Sequence, residues 1–334
     1  MKKCCFIVPY FGKFPQTFPV FLKTCKFNKD YDWIFFTDIK DNYDYPENVR
    51  IINLSFEEMK QMIQEKFDFD ISICEPHKLC DYKPAYGYIF EQYISEYKFW
   101  GHCDIDTIMG DLNEFITDDL LEIYDKLFCL GHFILYKNTY TNNRIFMKTY
   151  QGRKLYKESF SSSKTTIFDE TFRGKDNINS IYISNGLPVL EEDWSANFLI
   201  QPSNFIKTTY NSQKESYDVE EYKESFFIWN NGKIFRYWME NGILQSKEFM
   251  YMHFQLRKMK YDEEILKSNY FKIIPEIFTV LEHWPITEGN FNLIKKKRFN
   301  LHFLHMKIHN YKDKKKKWME RKGMSKWKNS KKYY

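Results

Sequence analysis

The sequence predicts an α/β protein with a mostly parallel sheet, helices on both faces of that sheet, and a basic C-terminal extension. Short β-branched and aromatic runs alternate with helical patterns over the first 106 residues, which is the order of strand–helix–strand units. Several of these runs end in polar or acidic residues, as strands do at the ligand-binding edge of such a sheet. Hydrophobic residues make up 43% of the 334 residues, enough for one large domain or two smaller ones.

Local patterns define the elements of the first 106 residues. The apolar run 4–9 is stopped by Pro-Tyr-Phe-Gly, which indicates a strand that ends in a turn. Ser55-Phe56-Glu57-Glu58 has the capping-box pattern and predicts a helix to about residue 67. Pro84 fits the first turn of a helix that begins at Asp81 and runs to about residue 93. The other predicted elements are a helix over 18–27 and strands over 33–38, 49–54 and 99–103.

The pattern is less regular beyond residue 106. A helix is predicted over 119–126, a strand over 127–131, and a polar loop region near a cleft over 159–185. Asn230-Asn231-Gly232-Lys233 between two aromatic runs predicts a β-hairpin, and 249–254 predicts a late strand that carries His253. We expect one domain over 1–260, a helical segment over 261–311 and a basic tail over 312–334.

The charge of the chain is unevenly divided. Residues 290–334 contain 16 Lys and Arg against Asp313 and Glu320, a net charge of +14, which leaves −9 for the rest of a chain whose total is +5. A Lys cluster with Trp and Tyr nearby suits an anionic membrane surface, and a solvated end is the alternative. No nucleic-acid partner is expected, because no recognised binding module accompanies the tail.

Targeting signals and cysteine spacing predict the compartment. The N-terminal apolar segment is short and broken by Pro9, unlike a signal peptide, and no apolar run is long enough to span a bilayer. The seven cysteines show neither CxxC pairs nor disulfide-like spacing. We therefore expect a cytoplasmic protein with reduced thiols, attached peripherally to the inner face of the membrane if the tail binds lipid.

Asp104 and Asp106 form the clearest candidate site. They lie one residue apart, directly after the predicted buried strand 99–103. If the chain turns there, both carboxylates can reach one Mn²⁺ or Mg²⁺ ion, which commonly binds one or two carboxylates together with substrate phosphates. A polar turn after a strand is the alternative, since Asp-x-Asp is frequent by chance. The pattern alone leaves the polar turn as the stronger interpretation, and the surrounding sequence adds support for a metal site that binds a nucleotide diphosphate.

Six sequence blocks in this order carry a family resemblance. They are Pro-Tyr-Phe-Gly at 9–12, Phe-Thr-Asp at 36–38, Leu-Cys-Asp-Tyr-Lys-Pro-Ala-Tyr-Gly at 79–87, Trp-Gly-His-Cys-Asp-Ile-Asp at 100–106, Gly-His-Phe at 131–133, and Met-His-Phe-Gln-Leu-Arg-Lys at 252–258. The chain up to about residue 260 resembles the bacterial GT-A-fold, DxD-containing glycosyltransferases of polysaccharide biosynthesis clusters, and within them a related group of domains of unknown function. The resemblance implies a Rossmann-like nucleotide-diphospho-sugar transferase fold. It also implies Leloir-type hexosyl transfer from a nucleotide-sugar donor, such as a UDP-sugar, to a surface-glycan or lipid-linked acceptor.

The resemblance also implies roles for individual residues. Contacts with the base and ribose are implied for Pro9, Tyr10, Phe11, Thr37 and Asp38. Contacts with the donor sugar or its phosphate are implied for Asp81 and Lys83, and contacts with the pyrophosphate for Arg257 and Lys258. Asp104 is implied to contact the ribose or the metal. The implied ligands of Mn²⁺ or Mg²⁺ are Asp104, Asp106 and His253. The implied catalytic or acceptor-side carboxylates are Asp169 and Glu170.

Several of these positions have structural alternatives. Asp81 is equally suited to cap a helix, Lys83 to a solvated first turn, and His253 to a packed strand. His102 and His132 are expected to be structural.

Two other functions compete with glycosyl transfer. Asp104-Ile105-Asp106-Thr107 also fits the haloacid-dehalogenase pattern, in which the first Asp is the phosphatase nucleophile and the second an acid/base. That pattern usually follows the first strand of the fold, whereas here about 100 residues precede it. The other alternative is a non-enzymatic membrane-binding protein that works through its basic tail.

Overall fold

The computed structural model has the α/β architecture that the sequence predicts. It describes residues 2–171, 174–199, 205–221, 224–255 and 257–295, together with the isolated positions 304, 305, 308, 311, 312 and 315. Within these residues the strands form three sheets, of seven, five and six strands.

Strands and helices alternate in the first part of the chain, and strands dominate after residue 189. The strands are β1 (Lys2–Pro9), β2 (Tyr31–Thr37), β3 (Val49–Asn53), β4 (Tyr97–Cys103), β5 (Thr107–Met109), β6 (Lys126–Leu127), β7 (Phe133–Lys137), β8 (Val189–Leu190), β9 (Ser195–Phe198), β10 (Lys207–Asn211), β11 (Ser216–Val219), β12 (Ser225–Asn230), β13 (Lys233–Glu240), β14 (Ile243–Phe249), β15 (Tyr251–His253), β16 (Lys260–Tyr261), β17 (Tyr270–Ile274) and β18 (Ile277–Thr279). The α-helices are α1 (Phe18–Cys25), α2 (Phe56–Gln64), α3 (Tyr86–Ile89), α4 (Glu91–Ile94), α5 (Leu112–Phe115), α6 (Asp118–Ile123), α7 (Leu155–Ser161), α8 (Ile178–Ser184) and α9 (Phe291–Ile294). Short 3₁₀ segments span Pro76–Ala85, Asn142–Met147 and Glu263–Leu266.

The seven-stranded main sheet is mixed. Its order is β3–β2–β1–β4–β7–β6–β8, and β3, β2, β1 and β4 are parallel to one another. Strand β7 runs antiparallel to both β4 and β6, so the prediction of a mostly parallel sheet describes only the first half. In that half the carboxyl ends of β1, β2 and β4 lie at one edge, where ligands bind in open α/β sheets.

Helices cover both faces of the main sheet, because neighbouring residues in a strand point to opposite sides. On one face, Cys5 and Ile7 of β1 belong to a core cluster with Met59 and Ile63 of α2. On the other face, Phe6 and Val8 pack in a cluster with α1. Every residue of β2 is buried, which fits the apolar run from Trp33 to Phe36 in its middle.

The five-stranded sheet has the order β11–β10–β9–β15–β5. Strand β15 pairs antiparallel with β5, and this register places His253 opposite Thr107. This pairing places the strand that carries His253 beside the strand that directly follows the Asp104–Asp106 turn.

The six-stranded sheet contains the predicted hairpin. Strands β12 and β13 pair with each other and are joined by Asn231 and Gly232, whose φ angles are 48° and 89°. Two residues with positive φ are what a type I′ turn requires, so the hairpin prediction is confirmed.

Two predictions in the first half of the chain need correction. The helix expected over 81–93 is a 3₁₀ segment followed by the short helices α3 and α4, since Pro84 has no N–H for a continuous α-helical ladder. The strand expected over 127–131 is limited to β6, because Phe128 takes a φ of 69° and leaves the extended conformation. The following strand, β7, was missed.

The prediction of a helical segment over 261–311 is wrong for Tyr270–Ile274 and Ile277–Thr279, which form two strands. Strands β17 and β18 pair with each other, and β17 also pairs with β12. Their β-branched and aromatic residues favour strands, so the sheet crosses the expected boundary at 260. The tail predicted over 312–334 lies outside the described residues, apart from Lys312 and Lys315.

The described part of the chain contains no helix that is long and apolar enough to cross a membrane.

Candidate functional site

Asp104 and Asp106 occupy the short turn between β4 and β5. The Asp104 N–H donates to the His132 carbonyl at 3.0 Å, and the Thr107 hydroxyl donates to the Asp104 carbonyl at 2.7 Å. These bonds fix the turn at the carboxyl end of β4 and leave the two side chains 39% and 36% exposed. Both carboxylates can therefore meet a ligand.

His253 joins this pair through the register of β15 on β5. The Phe254 N–H donates to the Asp106 carbonyl at 2.9 Å, and His253 Nε2 lies 3.5 Å from Asp106 Oδ1. One ligand atom from each of Asp104, Asp106 and His253 lies within 4.8 Å of the other two. Two ligands that each lie about 2.0–2.2 Å from one ion are at most about 4.4 Å apart, so this spacing is close to what one ion needs. The structure thus brings together the three predicted metal ligands, named here the metal cluster.

The donor atoms of the metal cluster fit a divalent cation. Burial lowers the pKa of His253, but the hydrogen bond and charge of Asp106 outweigh it and raise the pKa above its ordinary value. His253 Nδ1 is buried with no hydrogen-bond partner among the described residues. Carboxylates suit Mg²⁺ and Mn²⁺, and imidazole suits transition metals, so this donor set has the chemistry of a divalent-cation site.

Lys83 links the metal cluster to a second pair of acids. Its Nζ donates to Asp104 Oδ1 at 2.9 Å and to the Gly131 carbonyl at 2.8 Å, and it lies 3.5 Å from Asp169 Oδ2. Burial lowers the pKa of Lys83, but Asp104 and the other nearby acidic groups raise it well above its ordinary value. The ammonium group therefore stays charged and is bonded to the protein.

Asp169 and Glu170, the predicted catalytic carboxylates, lie beside Gly131. Glu170 Oε2 accepts from the Gly131 N–H at 2.8 Å. A Cβ on Gly131 would lie 2.6 Å from Asp169 Oδ2, so the two acids need a glycine there. Burial raises the pKa of Asp169 to about 7, with Lys83 opposing the rise and Glu170 adding to it. A carboxyl group with that pKa can hold or release a proton near neutral pH.

Asp81 does not face the site, so its predicted contact with the donor sugar is wrong. It is fully buried and bonded to Lys78 Nζ at 2.6 Å. It also accepts from the N–H groups of Thr166 at 2.9 Å and Phe168 at 3.2 Å. Ile167, between them, has a φ of 59°, which a β-branched residue rarely adopts. Asp81 therefore fixes the loop that leads into Asp169.

A cavity of about 810 Å³ adjoins the metal cluster. Asp104 and His253 belong both to the metal cluster and to the cavity wall. The wall also contains residues from β9 to β11 and after β15 for which the sequence suggested no role: Asn197, Phe198, Thr208, Tyr217 and Gln255. Gln255 Nε2 donates to Asn197 Oδ1 at 2.7 Å. The only sequence signal for Gln255 was its place in the block 252–258.

His132 is a buried residue that packs against the metal cluster. Its ring stacks on that of His253 with centroids 4.2 Å apart, and its Nδ1 is 2.9 Å from the Tyr251 hydroxyl. Burial lowers the pKa of His132 well below its ordinary value, so the ring is neutral. Its Nε2 has no hydrogen-bond partner among the described residues, and the residue lines the cavity.

The residues predicted to contact base and ribose lie at the carboxyl edge of β1 and β2. Pro9 ends β1, buried Thr37 ends β2, and exposed Asp38 accepts from the Gly12 N–H at 3.1 Å. Tyr10 is partly exposed, and burial followed by the charge of Asp106 raises the pKa of its hydroxyl. Phe11 packs in the core against Phe56, so its predicted contact with the nucleotide is not supported.

The predicted pyrophosphate contacts of Arg257 and Lys258 are also not supported. Arg257 Nη2 donates to the Leu199 carbonyl at 2.9 Å, and its guanidinium lies over the rings of Phe198 and Phe205. Lys258 is exposed. Neither residue is part of the described cavity wall.

Comparison with known proteins gives a family but no activity. No curated protein matches the chain. Residues 6–282 match the family model of a family of unknown function, DUF6625, and this region includes the metal cluster and the described cavity wall. Since the match spans most of the chain, the protein belongs to the family of unknown function DUF6625.

Proposed function

We propose that this protein is a metal-dependent GT-A-type glycosyltransferase that takes a sugar from a nucleotide-sugar donor, with UDP-sugars as the first class to test. The observation that carries the proposal is the metal cluster, in which Asp104, Asp106 and His253 offer ligand atoms within 4.8 Å of one another. It lies directly after β4, in the parallel half of the main sheet.

The position of the metal cluster supports a nucleotide ligand. The carboxyl ends of β1 and β2 lie beside that of β4, and such an edge is where nucleotides bind in open α/β sheets. Tyr10 and Asp38 are exposed enough there to meet a base and a ribose. The diphosphate would then lie between these residues and the cavity.

The chemistry of glycosyl transfer matches the groups present. The departing nucleoside diphosphate gains negative charge, which must be stabilised, and a bound divalent cation supplies that stabilisation. Asp104, Asp106 and His253 would hold the cation. Asp169, whose pKa is near 7, is proposed to take the proton of the acceptor hydroxyl, with Glu170 beside it.

The proposed acceptor is a surface glycan or a lipid-linked sugar. The basic tail, which lies outside the described residues except for two lysines, would bring the enzyme to the membrane on which a lipid-linked acceptor resides.

Calorimetry of UDP with and without Mn²⁺ tests the metal-dependent step. We expect Mn²⁺-dependent binding that EDTA abolishes and that Asp106→Asn weakens at least tenfold, in line with the roughly 10–100-fold effects seen when groups around a metal are lost. The matched control is Asp119→Asn, an exposed helix-start carboxylate, which should bind like the parent. UDP binding that is unchanged by EDTA and by Asp106→Asn would contradict the proposal. If the protein releases phosphate from p-nitrophenyl phosphate with Asp104 as the nucleophile, that result would favour a phosphatase instead.

A further inference from the structure

The cavity next to the metal cluster has an acidic wall. Asp104, Asp169 and Glu170 line it, and Lys83 is the one Lys or Arg among its described lining residues. The Lys83 ammonium already donates to Asp104 and to the Gly131 carbonyl, and it lies 3.5 Å from Asp169. An anionic ligand group would therefore find carboxylates and no free ammonium or guanidinium on the described wall.

A second feature of the cavity wall is a polar atom without a hydrogen-bond partner. His132 is only 6% exposed, and its Nε2 lacks a hydrogen-bond partner among the described residues. A buried polar atom without a partner is unfavourable unless a ligand supplies one. An imidazole nitrogen of either tautomer can form a hydrogen bond with a sugar hydroxyl.

Other parts of the wall fit a sugar ring. Asn197 and Gln255 present amide groups, while Phe198 and Leu199 present apolar surface. A hexose has hydroxyl groups at its rim and C–H groups on its faces, and such a mixed wall can meet both.

The sugar of a donor must enter this cavity if the diphosphate binds at the metal cluster. The sugar is bonded directly to the second phosphate, and Asp104 and His253 are shared by the metal cluster and the cavity wall. The charge of a bound cation would be balanced by its two carboxylate ligands and by the diphosphate, so it would not offset the acids of the wall.

We propose that the cavity selects donors whose sugar is neutral or carries an amino group, and that it rejects sugars that carry a carboxylate, the uronic acids. This selectivity rests on the proposed function, because it assigns the cavity to the donor sugar. Its physical basis is like-charge repulsion by Glu170 and by the ionised fraction of Asp169.

Matched donor pairs test this selectivity. Mn²⁺-dependent binding of UDP-glucose is compared with that of UDP-glucuronate, and UDP-galactose with UDP-galacturonate, by calorimetry, with UDP alone as the reference. Each uronate should bind at least about tenfold more weakly than its neutral partner. Equal affinities within both pairs would overturn the inference while leaving the proposed function intact. Failure of UDP itself to bind would instead contradict the proposed function and the inference together.

A charge-neutral variant identifies the responsible wall. Glu170→Gln keeps an oxygen that can accept from the Gly131 N–H and removes one negative charge, so it should reduce the preference for the neutral donors. Asp119→Asn removes an exposed charge of the same sign outside the cavity wall and should leave the preference unchanged. A Glu170→Gln protein that folds, binds UDP and keeps the full preference would contradict the role of this wall.

Discussion

At the scale of single residues, the site depends on groups that hold its carboxylates in position. Gly131 leaves room for Asp169 and donates to Glu170, while Lys83 holds Asp104 near Asp169. Asp81 and Lys78 form an ion pair with almost no exposure, one layer behind the acids. The positions of Asp169 and Glu170 therefore depend on buried ion pairs and on the absence of a side chain at Gly131.

We predict that Asp81→Asn destabilises the protein and loosens the loop before Asp169. The change leaves the Lys78 ammonium buried without its charged partner, which typically costs about 3–5 kcal/mol in the free energy of unfolding. Urea unfolding measures the loss, and limited proteolysis should show faster cleavage near residues 164–168.

The double variant Lys78→Met/Asp81→Asn supplies the control for charge. It removes the unpaired ammonium and should recover part of the lost stability, although Lys78 also donates to the carbonyls of Ser159 and Lys164. A single variant as stable as the parent would show that Asp81 does not anchor the loop.

At the scale of elements, the short strand β6 carries an unusual buried charge. Lys126 is fully buried, donates to the Phe128 carbonyl and lies 5.6 Å from the centre of the Tyr136 ring. Burial lowers the pKa of Lys126 to about 7, although Cys129 and Glu191 oppose this shift. The lysine is thus partly neutral at physiological pH inside the main sheet.

We predict that Lys126 contributes a rise in stability as the pH increases from about 7 toward 10, measured as the difference between the parent and Lys126→Met. The subtraction removes the opposing effect of the buried thiols, whose raised pKa values lower stability above about pH 8.5. In that range the unfolded chain still binds the proton that folded Lys126 has lost, so raising the pH favours the folded state. Lys126→Met should remove this rise and should stabilise the protein at pH 6 by a few kcal/mol, since each unit of pKa shift corresponds to about 1.4 kcal/mol. Denaturant unfolding at pH 6, 8 and 10 measures both effects. Lys98→Met, at an exposed position of β4, is the control, and a parent-like pH profile for Lys126→Met would contradict the prediction.

The elements that the sequence predicted are those whose signals are local. The capping box of α2 and the Asn231-Gly232 turn both occur as expected, because each depends on a few consecutive residues. Strands β17 and β18 were expected to be helical. That prediction failed because the pairing of β17 with β12 and of β18 with β17 depends on tertiary contacts that override local pattern. The metal cluster could be predicted as a set of residue types. The roles of Asp81, Phe11 and Arg257 could not, because burial and partner choice depend on how distant segments pack.

At the scale of the whole molecule, the uneven charge assigns the two proposed activities, donor binding and membrane attachment, to different regions of the chain. Residues 290–334 carry a net charge of +14 and the remainder carries −9, while the metal cluster and the described cavity wall lie within residues 77–255. Donor binding and membrane attachment should therefore be separable.

We predict that removing residues 312–334 leaves Mn²⁺-dependent UDP binding unchanged and weakens binding to anionic liposomes. Each basic residue near such a surface contributes about 1 kcal/mol, and about 0.5 M salt should weaken attachment of the full chain by screening. Liposome co-sedimentation measures attachment, with neutral liposomes as the control. Equal co-sedimentation of both proteins would refute the role of the tail.

The β5–β15 pairing also sets an order of events during synthesis. Asp106 is made early, whereas His253 follows about 150 residues later, which corresponds to roughly 7–30 seconds at ribosomal speeds of 5–20 residues per second. Throughout that interval the nascent chain holds two carboxylates but lacks the imidazole and the strand that delivers it. The growing polypeptide therefore cannot assemble its three-ligand site until β15 emerges and pairs. Ion capture would then stabilise a fold that is already closed.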